Sequence, residues 1–185
     1  MSEPDRRGPW RTLASRFVYQ NQWIRVREDA VLRPDGRRGI YGVVEMGPCV
    51  GVVALTSDGE VYLVGQYRYP TETYSWEIIA GGADAGEDLL AAARREMREE
   101  TGVAAARLTS LGTCQISNGV TDQVGHLYVA EGLTAGAAMP DATEQLAVRV
   151  VPLAEAMAMV ERDELNDAFS VVGLYRAWRR LHRGV

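Results

Sequence analysis

The sequence predicts a single mixed α+β fold built on a mixed sheet. Three observations point to it. Strand-like segments dominate the first 80 residues, one strong helical segment follows at 87–101, and further strand-like segments lead into two C-terminal helices. A doubly wound dinucleotide fold is excluded, because no GxGxxG follows a predicted strand.

The elements follow in order. Residues 1–14 are rich in Pro, Gly and charge, which predicts a mobile start with Trp10 as the anchor where order begins. Residues 15–45 carry Phe17, Tyr19, Trp23, Ile24, Val26, Val31 and Leu32, mostly β-formers. Pro34-Asp35-Gly36 is a turn signal, so two strands flank it as a hairpin. Gly47-Pro48 breaks the chain before an apolar run at 49–55, the signature of a buried strand. A second strand is expected at 60–68, a loop at 70–74, a short strand at 76–80 and a Gly-rich loop from Gly81 to Gly86.

Residues 87–101 are rich in Ala, Leu, Met, Arg and Glu, all strong helix formers. Glu87 and Asp88 suit the first turn and Gly102 the C-terminal stop. Strands are expected at 108–116, 123–130 and 146–151. Pro152 opens a helix to about Arg162, and an amphipathic helix spans 167–181.

Composition sets the functional limits. The chain has 185 residues, 46% of them hydrophobic, which suits one globular domain of ordinary size. The net charge of −5 argues against non-specific nucleic-acid binding. All 20 cations are Arg, so chemistry that needs a P-loop or Schiff-base lysine is excluded. Cys49 and Cys114 are too few for a zinc-finger ligand set and read as buried free thiols. His126 and His182 leave no His-based metal cage. The N-terminus lacks an apolar leader and no apolar run reaches about 20 residues, so a cytoplasmic location with no membrane partner is expected.

The segment Gly81–Val103 carries the chemistry. At about 100° per residue, with Glu96 at zero, Glu100 falls near +40° and Glu99 near −60°. Three carboxylates thus share one helix face, beside an apolar face of Leu90, Ala93, Met97 and Thr101. Crowded like charges repel. Either arginines (Arg94, Arg95, Arg98) or a hard divalent cation with oxygen ligands compensates them. Periodicity alone leaves a solvated salt-bridged face as the ordinary alternative.

The spacing says more. It runs Gly81, five residues, Glu87, seven residues, Arg95-Glu96-Met97, one residue, Glu99-Glu100, one residue, Gly102-Val103. Every defining position of the Nudix box is filled, and a chance match is on the order of one in a million. The chain resembles the Nudix hydrolases. The resemblance implies an α/β/α sandwich around a mixed sheet and hydrolysis of nucleoside diphosphates linked to another moiety, with Mg²⁺ or Mn²⁺. It implies that Glu96, Glu99, Glu100 and the carbonyl of Ala80 hold the metal, while Arg95 and Glu87 pair to fix the loop on the helix.

Flanking segments resemble the ADP-ribose and nucleoside diphosphate sugar pyrophosphatase branch: Gln66–Pro70, Trp76–Gly81 and Pro152–Ala156. That branch implies a glutamate before the last strand as general base, here Glu144. Glu77 is then a candidate for substrate hydroxyls or a strand cap, and Arg68 for phosphate or a local salt bridge. The branch also exchanges an N-terminal β-segment across a homodimer. Residues 1–46 would form that segment and 47–185 the hydrolase domain. Tyr19, Trp23 and Tyr41 are its stacking candidates, with cross-strand packing as the alternative. Arg25 and Arg27 alternate with apolar residues, so they share one face and are candidates to reach a diphosphate, with a solvated face as the alternative. Two departures stand out: Ile79 where ADP-ribose hydrolases commonly have Pro, and Asn118 where a Ser-Pro-Gly stretch has Pro. They point to a broader nucleoside diphosphate sugar hydrolase, with the Asn118 turn as specificity loop. Dinucleoside polyphosphates, NADH and a non-catalytic nucleotide-sugar sensor are the alternatives.

Overall fold

The computed structural model describes residues 6–137 and 145–182. Eleven strands and three helices follow one another within them. They are β1 (Arg6–Arg7), β2 (Trp10–Gln20), β3 (Ile24–Leu32), β4 (Arg38–Met46), β5 (Cys49–Ala54), β6 (Glu60–Arg68), β7 (Thr73–Glu77), β8 (Ile79–Gly82), α1 (Leu89–Thr101), β9 (Ala104–Gln115), β10 (Val124–Thr134), β11 (Ala147–Pro152), α2 (Leu153–Glu161) and α3 (Ala168–Leu181). Among the described residues no helix is long and apolar enough to cross a membrane.

The chain divides into two compact units. The first comprises residues up to Gly47 together with Gln115–Gln123. It is an antiparallel sheet in the order β1-β2-β3-β4. The Pro34-Asp35-Gly36 turn joins β3 to β4, which pair in unbroken register from Leu32↔Arg38 to Ile24↔Met46. Strand β2 begins at Trp10, the expected anchor, and runs through residues 10–14, ahead of the strand-like stretch expected from Ser15. Arg11 and Thr12 pair with Leu32 and Val31. The 117–121 turn lies on β4: Val44 N donates to Val120 O at 2.8 Å, and the Tyr41 hydroxyl donates to Gly119 O at 3.0 Å.

The second unit holds Pro48–Cys114 and residues from Val124 onward. Its sheets run β8-β5-β10-β9 and β11-β6-β7. Strand β5 pairs parallel with β10 and antiparallel with β8, so the sheet is mixed. Side chains alternate across β5. Val50, Val52 and Ala54 join Ala92, Ala93 and Met97 of α1 in one core. Val53 and Leu55 join Leu127, Met159, Leu165 and Leu174 in the other, under α2 and α3. The unit is thus an α/β/α sandwich. Each fully buried Val or Leu contributes about 1.5–3 kcal/mol by leaving water.

The expected strand at 76–80 is two strands in different sheets. The chain leaves β6 after Glu77 and joins β5 from Ile79. Ile78 lies between them, and its amide donates to the buried Ser170 hydroxyl at 3.0 Å. Ser170 Oγ donates in turn to Asp167 Oδ2 at 2.7 Å. Gly81 and Gly82 belong to β8 rather than to a loop. Helix α1 begins at Leu89, two residues late. Asp88 is its N-cap and accepts from Leu90 N and Ala91 N, so Glu87 stands outside the helix. Gly102 ends it at φ 71°, a left-handed conformation that glycine adopts without strain.

Candidate active site

The buried stripe of α1 runs through its carboxylates rather than beside them. Ala92, Ala93, Glu96, Met97, Glu100 and Thr101 are all buried, whereas Leu90, in the first turn, is 43% exposed. Burying a carboxylate is costly unless polar partners replace its water. The second unit supplies them. Glu100 Oε2 accepts from Ala80 N at 3.3 Å. Glu96 faces Gly81 so closely that a Cβ there would stand 2.1 Å from its carboxyl carbon. That approach is why β8 needs glycine at 81.

Arg95 organises the rest. Its Nε and Nη2 form a two-pronged pair with the Glu87 carboxylate, both at 3.1 Å. Nη2 also donates to Gly82 O at 2.8 Å. Nη1 donates to Glu96 Oε1 at 2.7 Å and Glu99 Oε2 at 3.0 Å. All five guanidinium donors are used. The Glu87 bond and the neighbouring charges raise the Arg95 pKa. Hydrogen bonding to Arg95 and to the Asp84 amide holds Glu87 below the usual carboxylate range. Of the three arginines on this helix, geometry selects Arg95. It lies one turn before Glu99 on the same side, whereas Arg94 points the other way and donates to Ala105 O at 2.6 Å.

Among the described residues, no three His, Cys, Asp or Glu side chains converge as a ready metal cluster. Arg95 stands between Glu96 and Glu99, and Glu100 is turned to the Ala80 amide. The donor chemistry nonetheless fits a hard divalent cation: three carboxylates on one helix beside a glycine-lined strand.

The other expected residues fall in separate places. Arg68 and Glu77 bind each other across β6 and β7, with Nε to Oε1 at 2.8 Å, and Glu77 is buried. Arg25 and Arg27 both pair with Glu45, and Arg27 also pairs with Asp29 at 2.9 Å. Arg25 stacks over Phe17 at 4.7 Å. Trp23, 72% exposed, and Arg25 line a cavity of about 400 Å³ with Gln20, Asn21, Met46 and Asp122. Tyr41 lines a different, smaller cavity, edge-on to Trp10 at 5.4 Å. Tyr19 is exposed and accepts from Asn21 at 3.3 Å. Asn118 sits in the turn held by β4. Glu144 lies outside the described residues. Sequence reading missed Glu45 and Asp29; their alternation with Arg25 and Arg27 on paired strands was the available signal. Cys49 and Cys114 are free but only half-buried, and burial pushes the Cys49 thiol up to about 11.

Comparison with known proteins fits this geometry. The NUDIX domain family matches residues 46–170, more than half of the chain. The chain belongs to the Nudix family. The nucleoside diphosphate sugar hydrolase N-terminal domain matches residues 10–44 of this Nudix chain. It is 32% identical over 160 residues to an ADP-ribose pyrophosphatase of Bacillus subtilis, covering 85% of this chain and 86% of that one. It is 30% identical over 166 residues to a methanol dehydrogenase activator of Bacillus methanolicus, covering 89% and 90%. A crystal structure of an ADP compounds hydrolase matches with TM-score 0.83 and 25% identity, over all of this chain and 98% of that one. This Nudix protein is therefore an enzyme, a phosphoric anhydride hydrolase of the nucleoside diphosphate sugar type, and Nudix hydrolases work with divalent metal ions.

Proposed function

We propose that this enzyme cleaves the pyrophosphate bond of ADP-ribose or a related nucleoside diphosphate sugar, with Mg²⁺ as its working ion and Mn²⁺ as a substitute. The products are a nucleoside monophosphate and a sugar phosphate. The observation that carries the reading is the Glu87–Arg95–Glu96/Glu99 network beside Glu100 and Gly81. The similarity to ADP-ribose pyrophosphatases along most of both chains supports it.

Cleavage forms a bond from water oxygen to one phosphorus and breaks the bridging P–O bond, which leaves with the other phosphate. Glu96, Glu99, Glu100 and the Ala80 carbonyl would hold the ion. When bound, it neutralises phosphate charge and lowers the pKa of coordinated water. Arg95 and Glu87 keep the loop fixed on the helix, so the carboxylates need little reorganisation. Glu144 takes the water proton as general base. Residues 1–46 serve nucleotide recognition. Trp23 stacks on the base, Arg25 lies beside it, and Tyr19, Tyr41, Arg27 and Asn118 shape selectivity. Arg68 and Glu77 form a paired rim for phosphate and sugar hydroxyls.

The enzyme acts as a homodimer. Leu13, Phe17, Val18 and Ile40 stand exposed on the N-terminal sheet, an apolar surface that a second copy would cover. A substrate panel with Mg²⁺ tests the reading: ADP-ribose, ADP-glucose, GDP-mannose, UDP-glucose, NADH, a diadenosine polyphosphate and 8-oxo-dGTP. Preference for ADP-ribose or another sugar nucleotide supports it. Preference for NADH or the polyphosphate overturns it. Ligand-induced stabilisation without turnover of any compound identifies a binding module instead. Sedimentation should give a dimer, and a monomer would remove the exchange.

A further inference from the structure

The sheet that carries α1 on one face carries α3 on the other, and the outer end of α3 holds charge of opposite sign. Arg176, Arg179 and Arg180 lie three and four residues apart, hence on one side of the helix. With Ser110 and Leu111 of β9, an end strand of its sheet, they line a cavity of about 290 Å³. Among the described residues no carboxylate pairs with any of the three. Elsewhere Arg16, Arg25, Arg27, Arg37, Arg68, Arg95, Arg107 and Arg162 hold acidic partners, while Arg11, Arg33, Arg38, Arg94, Arg98 and Arg149 hold none among the described residues; what sets this group apart is that three such arginines share one cavity. In a chain of net charge −5, this is a local concentration of three positive charges.

The helix itself compensates only part of that charge. A helix C-terminus offers about half a negative charge, spread over its last turn. Three guanidinium groups exceed that several-fold. Arg176 is also held in place. Its Nη1 donates to Leu111 O at 3.2 Å and to Thr113 O at 3.1 Å, which leaves its Nε and Nη2 donors for a ligand. The Ser110 hydroxyl accepts from Gly112 N at 3.0 Å, which leaves its own proton to donate. A fixed guanidinium, two adaptable ones and a hydroxyl around a small concavity form an oxyanion receptor. Arginine forks match phosphate oxygens two at a time. The volume lies at the lower limit of ordinary small-ligand sites, so it suits a phosphate chain better than a whole dinucleotide.

We infer that the cavity between α3 and β9 is a second phosphate-binding site, on the sheet face opposite the carboxylate helix, that takes a di- or triphosphate group. The group is either free polyphosphate or the phosphate tail of a nucleotide. Both present the same oxygens to Arg176, Arg179 and Arg180.

Calorimetric titration of the full chain with inorganic tripolyphosphate, in EDTA, tests it. Without metal, the carboxylate-rich helix repels the probe. One-to-one binding is expected, weakened at least tenfold in Arg179→Glu/Arg180→Glu and clearly weakened in the milder Arg179→Gln/Arg180→Gln. Arg37→Glu/Arg38→Glu makes the same charge change on the β3–β4 turn and should leave affinity within twofold. A parallel titration with ADP separates the sources: tighter binding of ADP marks a nucleotide tail, tighter tripolyphosphate a free chain. No binding by the unaltered protein overturns the inference. So does equal weakening in the control pair, which would make the effect one of bulk charge. Turnover should be unchanged in the Arg179/Arg180 variants, since these residues lie across the sheet from α1.

Discussion

Two ion-pair networks in this chain use the same side chains to opposite ends. On β3 and β4, Arg25 and Arg27 face Glu45 and Asp29, two cations against two anions. At α1, one guanidinium gathers three carboxylates, Glu87, Glu96 and Glu99, with Glu100 one turn beyond Glu96. Among the described residues the first network is balanced, and it acts as a clamp between strands. The second leans negative and is organised around Arg95. Balance makes a joint; an organised imbalance makes a receptor for positive charge.

The largest effect should come from unbalancing the receptor. Glu96→Gln and Glu100→Gln keep the shape and remove a charge each. Turnover should fall by about 100-fold or more, with the thermal midpoint nearly unchanged. Unaltered turnover in both would make α1 a structural network like that on β3. The clamp should fail differently. Arg27→Ala removes one charged hydrogen-bond partner of the buried Asp29 and should cost about 1–3 kcal/mol of stability. Urea unfolding would measure it, and a loss below about 1 kcal/mol would show that the strands do not depend on the network.

Smaller changes sharpen the contrast. Gly81→Ala drives a methyl into Glu96 and should destabilise by about 1–3 kcal/mol while lowering turnover, because the carboxylate must move. Loss of stability with full activity would disconnect Gly81 from the site. Asp88→Ala removes the α1 N-cap and should cost about 1 kcal/mol, visible in thermal melts.

The least effect is a pH signature. The folded-state pKa of Glu87 lies below its ordinary value, so its contribution is complete above the ordinary carboxylate range. It fades as pH falls through the lowered value. A carbon-13 titration of its carboxyl should give a midpoint below that range. A midpoint within or above it would mean that the Arg95 fork does not persist in solution.

These two regions also differ in how far the sequence alone exposes them. The α1 loop was readable residue by residue, because fixed spacing ties Gly81, Glu87, Arg95 and the glutamates to one geometry. The alternation of Val50, Val52 and Ala54 with Val53 and Leu55 likewise announced a strand buried on both faces. Elsewhere periodicity stops short. Nothing local told that Ile78 would divide 76–80 between two sheets, since both halves have β-forming residues and the division depends on Ser170, 92 positions away. Trp10 marked where order begins, but the strand character of residues 10–14 did not show, because Trp-Arg-Thr-Leu-Ala has no clear alternation. Arg68 reads equally well as a phosphate ligand or a local salt bridge, and Arg25 and Arg27 as diphosphate contacts or a solvated face, because the choice lies with residues on neighbouring strands.

The Ile78–Ser170–Asp167 chain has a consequence for timing. The Ile78 amide stands where one sheet hands the backbone to another, a place where N–H groups usually open to water first. Here it is closed by a fully buried hydroxyl anchored at the start of α3. Deuterium should therefore enter this junction only when α3 itself lifts from the sheet. The strand that carries Ala80 then shares the lifetime of a helix on the opposite face of its sheet, and a clock set at α3 runs at the catalytic loop.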